Sequence, residues 1–299
     1  MTLQPGGQAS VSVAVATLWS APDVARPTDE PAVRTPVDIR AWVDRLDPTD
    51  RAGFPLVLSQ LLLGERVVVD EIHGAWVRVA ATEQASHRDE RGYPGWLHRT
   101  HLTTQPVADG EQLVVDATAT AVRDAPFGDI LFYGVTIGTR LVGTGRTYRG
   151  WSEALVPGQD EPAWVRSADV VPAPDGSATA EDVLEVAERL LDVPYVWGGL
   201  SAYGLDCSGL VHLAYRRHGF AVPRDAADQA DATKQIAPEE ASPGDLYFFA
   251  RPGQTIHHVG LVAGDKRLVH ASQQAGRVVL EPLEGERADT LAGVRRVLP

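Results

Sequence analysis

Residues 193–212, VPYVWGGLSAYGLDCSGLVH, constrain the chain more than any other stretch. They carry its sole cysteine, Cys207, where a glycine-broken loop meets a helix. Gly198, Gly199 and Gly204 interrupt regular structure before it. After it, Leu210, Val211 and Ala214 fall on one face at helical spacing, and Gly219 offers a stop. A thiol at a helix start meets unpaired backbone N–H groups and the positive end of the helix dipole, and both favour the nucleophilic thiolate. Asp206 is placed to cap that helix. A lone cysteine is otherwise a small buried hydrophobe. The glycine-rich approach, the helix-start position and the histidines downstream favour a nucleophile instead.

Those histidines lie in residues 243–272, PGDLYFFARPGQTIHHVGLVAGDKRLVHAS. The segment predicts three apolar strands, DLYFF, HHVGLVAG and RLVHAS, with a Gly-Asp-Lys turn between the last two. His258 opens one strand and His270 lies on the next, so they can be cross-strand neighbours. Cys207, His258 and His270 then supply a nucleophile, a base that takes the thiol proton, and a group that fixes the ring of that base. The order Cys, His, polar third residue follows papain-like logic. Strand alternation puts His257 and His258 on opposite faces, so only one of them can meet the thiol.

Six strings stand in order between Tyr195 and Ser272: PYVWGG, DCSGLV, PRDAADQ, PGDLYFF, HHVGLVAG and LVHAS. In order and spacing they resemble the NlpC-type family of bacterial cell-wall cysteine peptidases. The resemblance implies that Cys207 is the nucleophile, His258 the base and His270 the third catalytic residue. The family motif has His directly before Val-Gly, which selects His258 and leaves His257 a solvated neighbour. The resemblance also implies that the Tyr195 hydroxyl joins the Cys207 backbone N–H in an oxyanion hole. Asp206 and Ser208 would line the same pocket. No metal or cofactor is implied.

The length of 299 residues suggests two or three domains, and a hydrophobic share of 44% is ample for their cores. Residues 1–172 hold two β-rich units, 1–105 and 106–172, that resemble each other weakly. The first has ATLWSAP, GERVVVDEIHGAWVRV and GYPGWLHRTHL; the second has TAVRDAP, GTRLVGTGRTYRGW and EPAWVRSADV. Short alternating strands with Gly-rich turns predict small barrels, and these resemble bacterial SH3-like barrels. Residues 26–58 form an insertion in the first unit. In it DIRAWVDRLDP predicts a helix with Ile39, Trp42, Val43 and Leu46 on one face, suited to packing on a neighbour. After a linker at 172–177, Thr179 and Asp182 form a capping-box-like start. That helix is expected to reach about Asp192, with Val183, Val186, Ala187, Leu190 and Leu191 inward, before Pro194 stops it. Residues 178–299 are then an α+β papain-like domain.

The net charge of −13 argues against nucleic acid as a partner. A single cysteine excludes an intramolecular disulfide or a multi-Cys zinc site. The N-terminal MTLQPGGQASVSVAVATLWSAP has no basic region and no sustained apolar core, so a secretory signal is not expected. No apolar run is long enough to span a membrane. The expected location is therefore cytoplasmic. The family cuts peptidoglycan stem peptides, usually between γ-D-glutamate and a diamino acid. Members with barrels before the enzyme and no export signal resemble a recycling subgroup that requires a free N-terminal L-alanine. The expected substrate is thus a murein tripeptide or tetrapeptide. A buried ammonium needs carboxylate partners. The resemblance offers Asp225 of PRDAADQ and Glu65 of SQLLLGE, with Tyr93 closing the pocket beside them. Many subgroup members have a serine after the acid where Ala226 stands here.

Other features carry plainer expectations. His98 and His101 read as surface residues, and Trp19, Trp42, Trp76 and Trp151 as core or interdomain anchors. Arg216, Arg217 and His218 offset a helix dipole. The glycines of GTGRTYRG lack the strand-to-helix context of a nucleotide site. The alternatives are a cell-wall hydrolase acting on intact peptidoglycan, an acyltransferase or amidase using the same thiol, and a non-catalytic wall-binding protein.

Overall fold

The computed structural model describes residues 2–53, 56–106 and 110–298. Its framework is two seven-stranded antiparallel sheets followed by a six-stranded one. Strands β1–β7 of the first sheet are Gln8–Val11, Val15–Trp19, Val57–Leu62, Arg66–His73, Trp76–Ala81, Tyr93–His98 and Leu102–Thr103. Strands β8–β14 of the second are Glu111–Val115, Ala119–Arg123, Ile130–Thr136, Arg140–Tyr148, Trp151–Leu155, Ala163–Arg166 and Val170–Pro172. The spatial orders are β3-β2-β6-β5-β4-β1-β7 and β10-β9-β13-β12-β11-β8-β14, the same order with each number raised by seven. The weak sequence repeat is therefore a repeat of topology. A tryptophan marks the same join in each: Trp96 of β6 pairs with Trp19 of β2, and Trp164 of β13 pairs with Arg123 of β9. The glycine pattern at 143–150 lies in the β11–β12 hairpin. Arg149 and Gly150, at φ 46° and 82°, make its two-residue turn.

The insertion between β2 and β3 folds as α1 (Glu30–Val33), α2 (Ile39–Arg45) and α3 (Pro48–Gly53). Asp38 caps α2 by accepting from the Ala41 N–H at 2.9 Å. Ile39, Trp42, Val43 and Leu46 are buried as the periodicity predicts. Trp42 meets Trp19 edge-on at 6.4 Å and donates its indole N–H to buried Asp29 at 2.9 Å. The far end of the insertion reaches the C-terminal unit. The Arg51 carbonyl accepts from the Trp197 N–H at 2.9 Å, and the Ala52 carbonyl accepts from Gln273.

The C-terminal unit opens with α4 (Ala180–Arg189), whose Thr179–Asp182 capping box forms. Val183, Val186, Ala187 and Leu190 face inward, whereas Leu191 is 37% exposed. The helix ends sooner than expected, and the chain turns at Asp192 (φ 65°), which carries Leu191 outward. A short hairpin, β15 (Leu200–Ser201) and β16 (Gly204–Leu205), leads to α5 (Cys207–Arg217) and α6 (Ala226–Ala232). Strands β17–β22 follow as Lys234–Ile236, Leu246–Phe249, His258–Gly264, Arg267–Ser272, Arg277–Pro282 and Leu291–Arg296, with α7 (Glu286–Asp289) before the last. Their order is β17-β22-β18-β19-β20-β21, and α4 and α5 pack on β19 and β20.

The C-terminal end of α5 does more than offset a dipole. Arg216 is buried and pairs with Glu83 at 3.1 Å and Glu65 at 3.3 Å in the first unit. Its Nε–H also donates to the Gly138 carbonyl of the second unit at 3.2 Å. Arg217 pairs with Asp116 of the second unit at 2.6 Å. The helix that starts at Cys207 thus ends as a clamp on both β-units. His101 is likewise not a surface residue. It is fully buried, its Nε2–H donating to the Val33 carbonyl at 2.9 Å, and burial lowers its pKa to about 4.

Candidate active site

Cys207 is the first residue of α5 and is 7% exposed. Asp206 caps the helix, its Oδ1 accepting from the Gly209 N–H at 2.6 Å. Gly209 has to be a glycine. An added Cβ would lie 2.3 Å from the Gly199 carbonyl oxygen and 3.0 Å from Asp206 Oδ1. The thiol meets the backbone N–H groups of Ser208 and Val259, which favour the thiolate. Burial outweighs them and pushes the thiol up to about 12, with the Asp206 carboxylate acting in the same direction. The helix-start amides favour the thiolate as the sequence predicts, but a buried thiol beside a carboxylate keeps its proton until a base takes it.

Val259 follows His258 at the start of β19, so its contact with the thiol brings the strand's first residue to the helix start. His258 Nε2 lies 2.7 Å from His270 Nδ1, with the rings nearly perpendicular at 83°. The register pairs Leu261 with Val269 and Val262 with Leu268. His258 and His270 therefore share a face diagonally across β19 and β20. Gly260 between them makes the approach possible. A Cβ there would lie 3.0 Å from the His270 Cβ and 2.8 Å from Leu268 Cδ1. Burial, then the neighbouring His270, hold His258 well below the usual imidazole range, so the ring is neutral. His257, just before β19, is exposed.

Tyr195 is buried beside this group. Burial raises its phenol, and the Cys207 and Asp206 charges act the same way. Asp206 and Ser208 hold a buried network. Arg224, 1% exposed, pairs with both Asp206 oxygens at 2.8 and 2.9 Å, and it donates to Ser208 Oγ at 3.0 Å. Arg224 also donates to Ser59 Oγ of the first unit at 2.9 Å and to the Gly199 carbonyl at 3.2 Å. Asp206 Oδ2 accepts in addition from the Gly198 N–H at 2.9 Å.

Asp225 and Tyr93 are brought together, as expected. The Tyr93 hydroxyl lies 3.0 and 3.1 Å from the two Asp225 oxygens. Burial raises the Asp225 carboxyl, opposed first by Arg224. Exposed Arg88 lies 3.5 Å from Asp225 and stacks over the Tyr93 ring at 5.2 Å. Glu65 is not part of this group. It is 1% exposed, ion-paired to Arg216, and accepts from Gln84 at 3.1 Å. It lines a different cavity between the two β-units, so the expected pairing of Glu65 with Asp225 is corrected.

The residues that sequence reasoning missed lie one contact outward. Arg224 precedes Asp225 in the same string, and a buried arginine has no local signature. Glu281 on β21 accepts from His270 Nε2 at 2.8 Å and lies 3.6 Å from Arg287. Period-two alternation was the available signal, since β21 pairs Val279 with His270 and carries Glu281 two residues on. From the first unit, Gln60 Oε1 accepts from the Leu200 N–H at 2.8 Å and Asp228 holds His87 at 2.6 Å. That unit therefore forms one wall of the site.

Residues 192–296 match the NlpC/P60 family. The chain is 34% identical to the γ-D-glutamyl-L-lysine dipeptidyl-peptidase of Bacillus subtilis (strain 168), over 96% of this chain and 98% of the relative. It is 33% identical to the protein of the same name from Bacillus cereus (strain ATCC 10987), over 98% of this chain and 91% of the relative. A crystal structure of an NlpC/P60 family protein from Bacillus cereus ATCC 10987 superposes with a TM-score of 0.90 at 30% identity, covering 98% of this chain and 100% of that one.

Proposed function

Because the chain belongs to the NlpC/P60 family of cell-wall peptidases, we propose that it is a cysteine peptidase that cuts the bond between γ-D-glutamate and the diamino acid of freed murein tripeptides or tetrapeptides. The two N-terminal units are read as SH3-like barrels and residues 178–299 as a papain-like domain. Cys207 is the nucleophile, His258 its base, and His270 holds the His258 ring. The thiol proton passes to the His258 nitrogen that does not face His270, and sulfur bonds to the scissile carbonyl carbon. The Cys207 N–H and the Tyr195 hydroxyl receive the developing oxyanion. The imidazolium returns the proton to the leaving amine as the C–N bond breaks, and water then hydrolyses the thioester. What supports this most is the His258–His270 pair at 2.7 Å, set where the next residue's amide meets the thiol.

The substrate's free N-terminal amine is assigned to Asp225, with Tyr93 orienting that carboxylate; an incoming ammonium shares Asp225 with Arg88. Asp206 and Ser208 frame the pocket floor. A paired cleavage assay read by mass spectrometry tests the proposal, using L-Ala-γ-D-Glu-diaminopimelate with a free or an acetylated N-terminus. Release of L-Ala-D-Glu from the free form alone is expected. Equal cleavage of both would remove the amine pocket. Cleavage of neither, or full activity after alkylation of Cys207, would remove the peptidase assignment.

A further inference from the structure

We propose that Glu281 is a positioning residue that sets the tautomers of both histidines and so leaves His258 able to accept the thiol proton. The inference rests on the reading of Cys207 and His258 as nucleophile and base. A carboxylate at 2.8 Å from His270 Nε2 can only accept, so that nitrogen carries the ring proton. A neutral His270 then has a bare Nδ1. That atom lies 2.7 Å from His258 Nε2, which must therefore be the donor. A neutral His258 with its proton on Nε2 has its lone pair on Nδ1, the nitrogen left for the thiol. Each step follows from the one before, and the sequence starts at Glu281. Without the carboxylate, His270 can hold its proton on Nδ1 and donate to His258. The lone pair of His258 would then sit on Nε2, and the nitrogen toward the thiol would carry a proton and could not act as a base.

The carboxylate is held in turn. Arg287 of α7 lies 3.6 Å from Glu281, and its guanidinium stands over the Phe249 ring at 5.6 Å. Phe249 packs on His258 with ring centroids 5.6 Å apart. Glu281, His270, His258, Phe249 and Arg287 thus close a ring of contacts around the base. The charged and titratable groups that act on the pair are Glu281 of β21, Arg287 of α7 and His257 beside β19, and Arg251 and Glu286 act in turn on His257. Glu281 favours protonated His270 and Arg287 opposes it. With the two side by side, the carboxylate can orient His270 while the pair stays neutral.

The test compares wild type, Glu281→Gln and Glu281→Ala by nitrogen-15 NMR of the histidine rings and by steady-state kinetics, with Cys207→Ala as reference. In wild type the proton is expected on Nε2 of both His258 and His270. Glu281→Ala is expected to lower kcat by at least about tenfold, with KM within about twofold. The acid limb of its kcat/KM profile moves to lower pH, because loss of the negative charge makes the imidazoles harder to protonate. Glu281→Gln can accept the same hydrogen bond and is expected to recover part of kcat. A wild-type His270 protonated on Nδ1 would overturn the proposal. So would a Glu281→Ala enzyme with unchanged kcat and pH profile while Cys207→Ala is inactive. An active Cys207→Ala enzyme would instead sink the peptidase reading itself, and the NMR result would still stand or fall by itself.

Discussion

Replacing Arg224 by Met tests what holds the nucleophile in place. Arg224 is 1% exposed and pairs with Asp206 through both carboxylate oxygens, at 2.8 and 2.9 Å. It also reaches Ser208, Ser59 and the Gly199 carbonyl. Methionine fills most of the volume and satisfies none of these groups. Removing one partner of a buried ion pair leaves an uncompensated charge, at a cost of about 3–5 kcal/mol. Here the stranded charge is Asp206, which caps α5 one residue before Cys207. Urea unfolding followed by tryptophan fluorescence should show a loss in that range. The double variant Asp206→Asn with Arg224→Met should lose less than the sum of the two singles. Asn keeps an oxygen for the Gly209 N–H and carries no charge to strand. A coupling energy of at least about 2 kcal/mol is expected from the cycle. Additive single variants, with coupling below about 0.5 kcal/mol, would refute the ion pair as the source of the stability.

Gly260→Ala sets a Cβ 2.8 Å from the tip of the Leu268 side chain, which can turn aside, and 3.0 Å from the His270 Cβ, so that His270 must give by a few tenths of an ångström. Its kcat should fall by more than about tenfold, and a variant with wild-type kcat would show that His270 tolerates displacement. His101 is buried neutral, with its pKa lowered to about 4 from an unfolded value near 6.5. Between those values the unfolded chain binds more protons. The stability from this site is therefore full above pH 6.5 and falls as pH drops toward 4. Between pH 7 and 5 the wild type should lose about 2 kcal/mol more than His101→Gln in urea unfolding, and equal losses would contradict the buried neutral ring. Tyr93→Phe removes the hydroxyl that lies against both Asp225 oxygens. It should raise KM severalfold for the free-amine peptide and leave kcat near wild type; an unchanged KM would separate Tyr93 from substrate recognition.

What could be read from the sequence was what local spacing determines. Cys207, His258 and His270 sit in short strings whose helical and strand periods already fix their faces. The strand order of the two β-units repeats because their strand and turn strings repeat. The misreadings lie where a residue's partner is far along the chain. His101 looked like a strand-end surface residue because Val33, whose carbonyl it meets, belongs to an insertion 68 positions away. Arg216 looked like a dipole cation because Glu65 and Glu83 belong to another unit. The same arginine explains Glu65: an acid already paired and buried there cannot also face Asp225. The thiol shows a different limit of local reading. Helix-end amides were read correctly, but burial is a property of the assembled fold, and with Asp206 it overrides them. Asp206 itself accepts from Gly209, Gly198 and Arg224, so its oxygens are already engaged. A substrate group that bound this carboxylate would have to displace a buried guanidinium. Asp225, the residue directly before α6, is hydrogen-bonded by Tyr93 and paired with exposed Arg88, a partner that an incoming ammonium can replace. Of the two acids beside Arg224, one is built to hold the scaffold and the other is left able to exchange its partner.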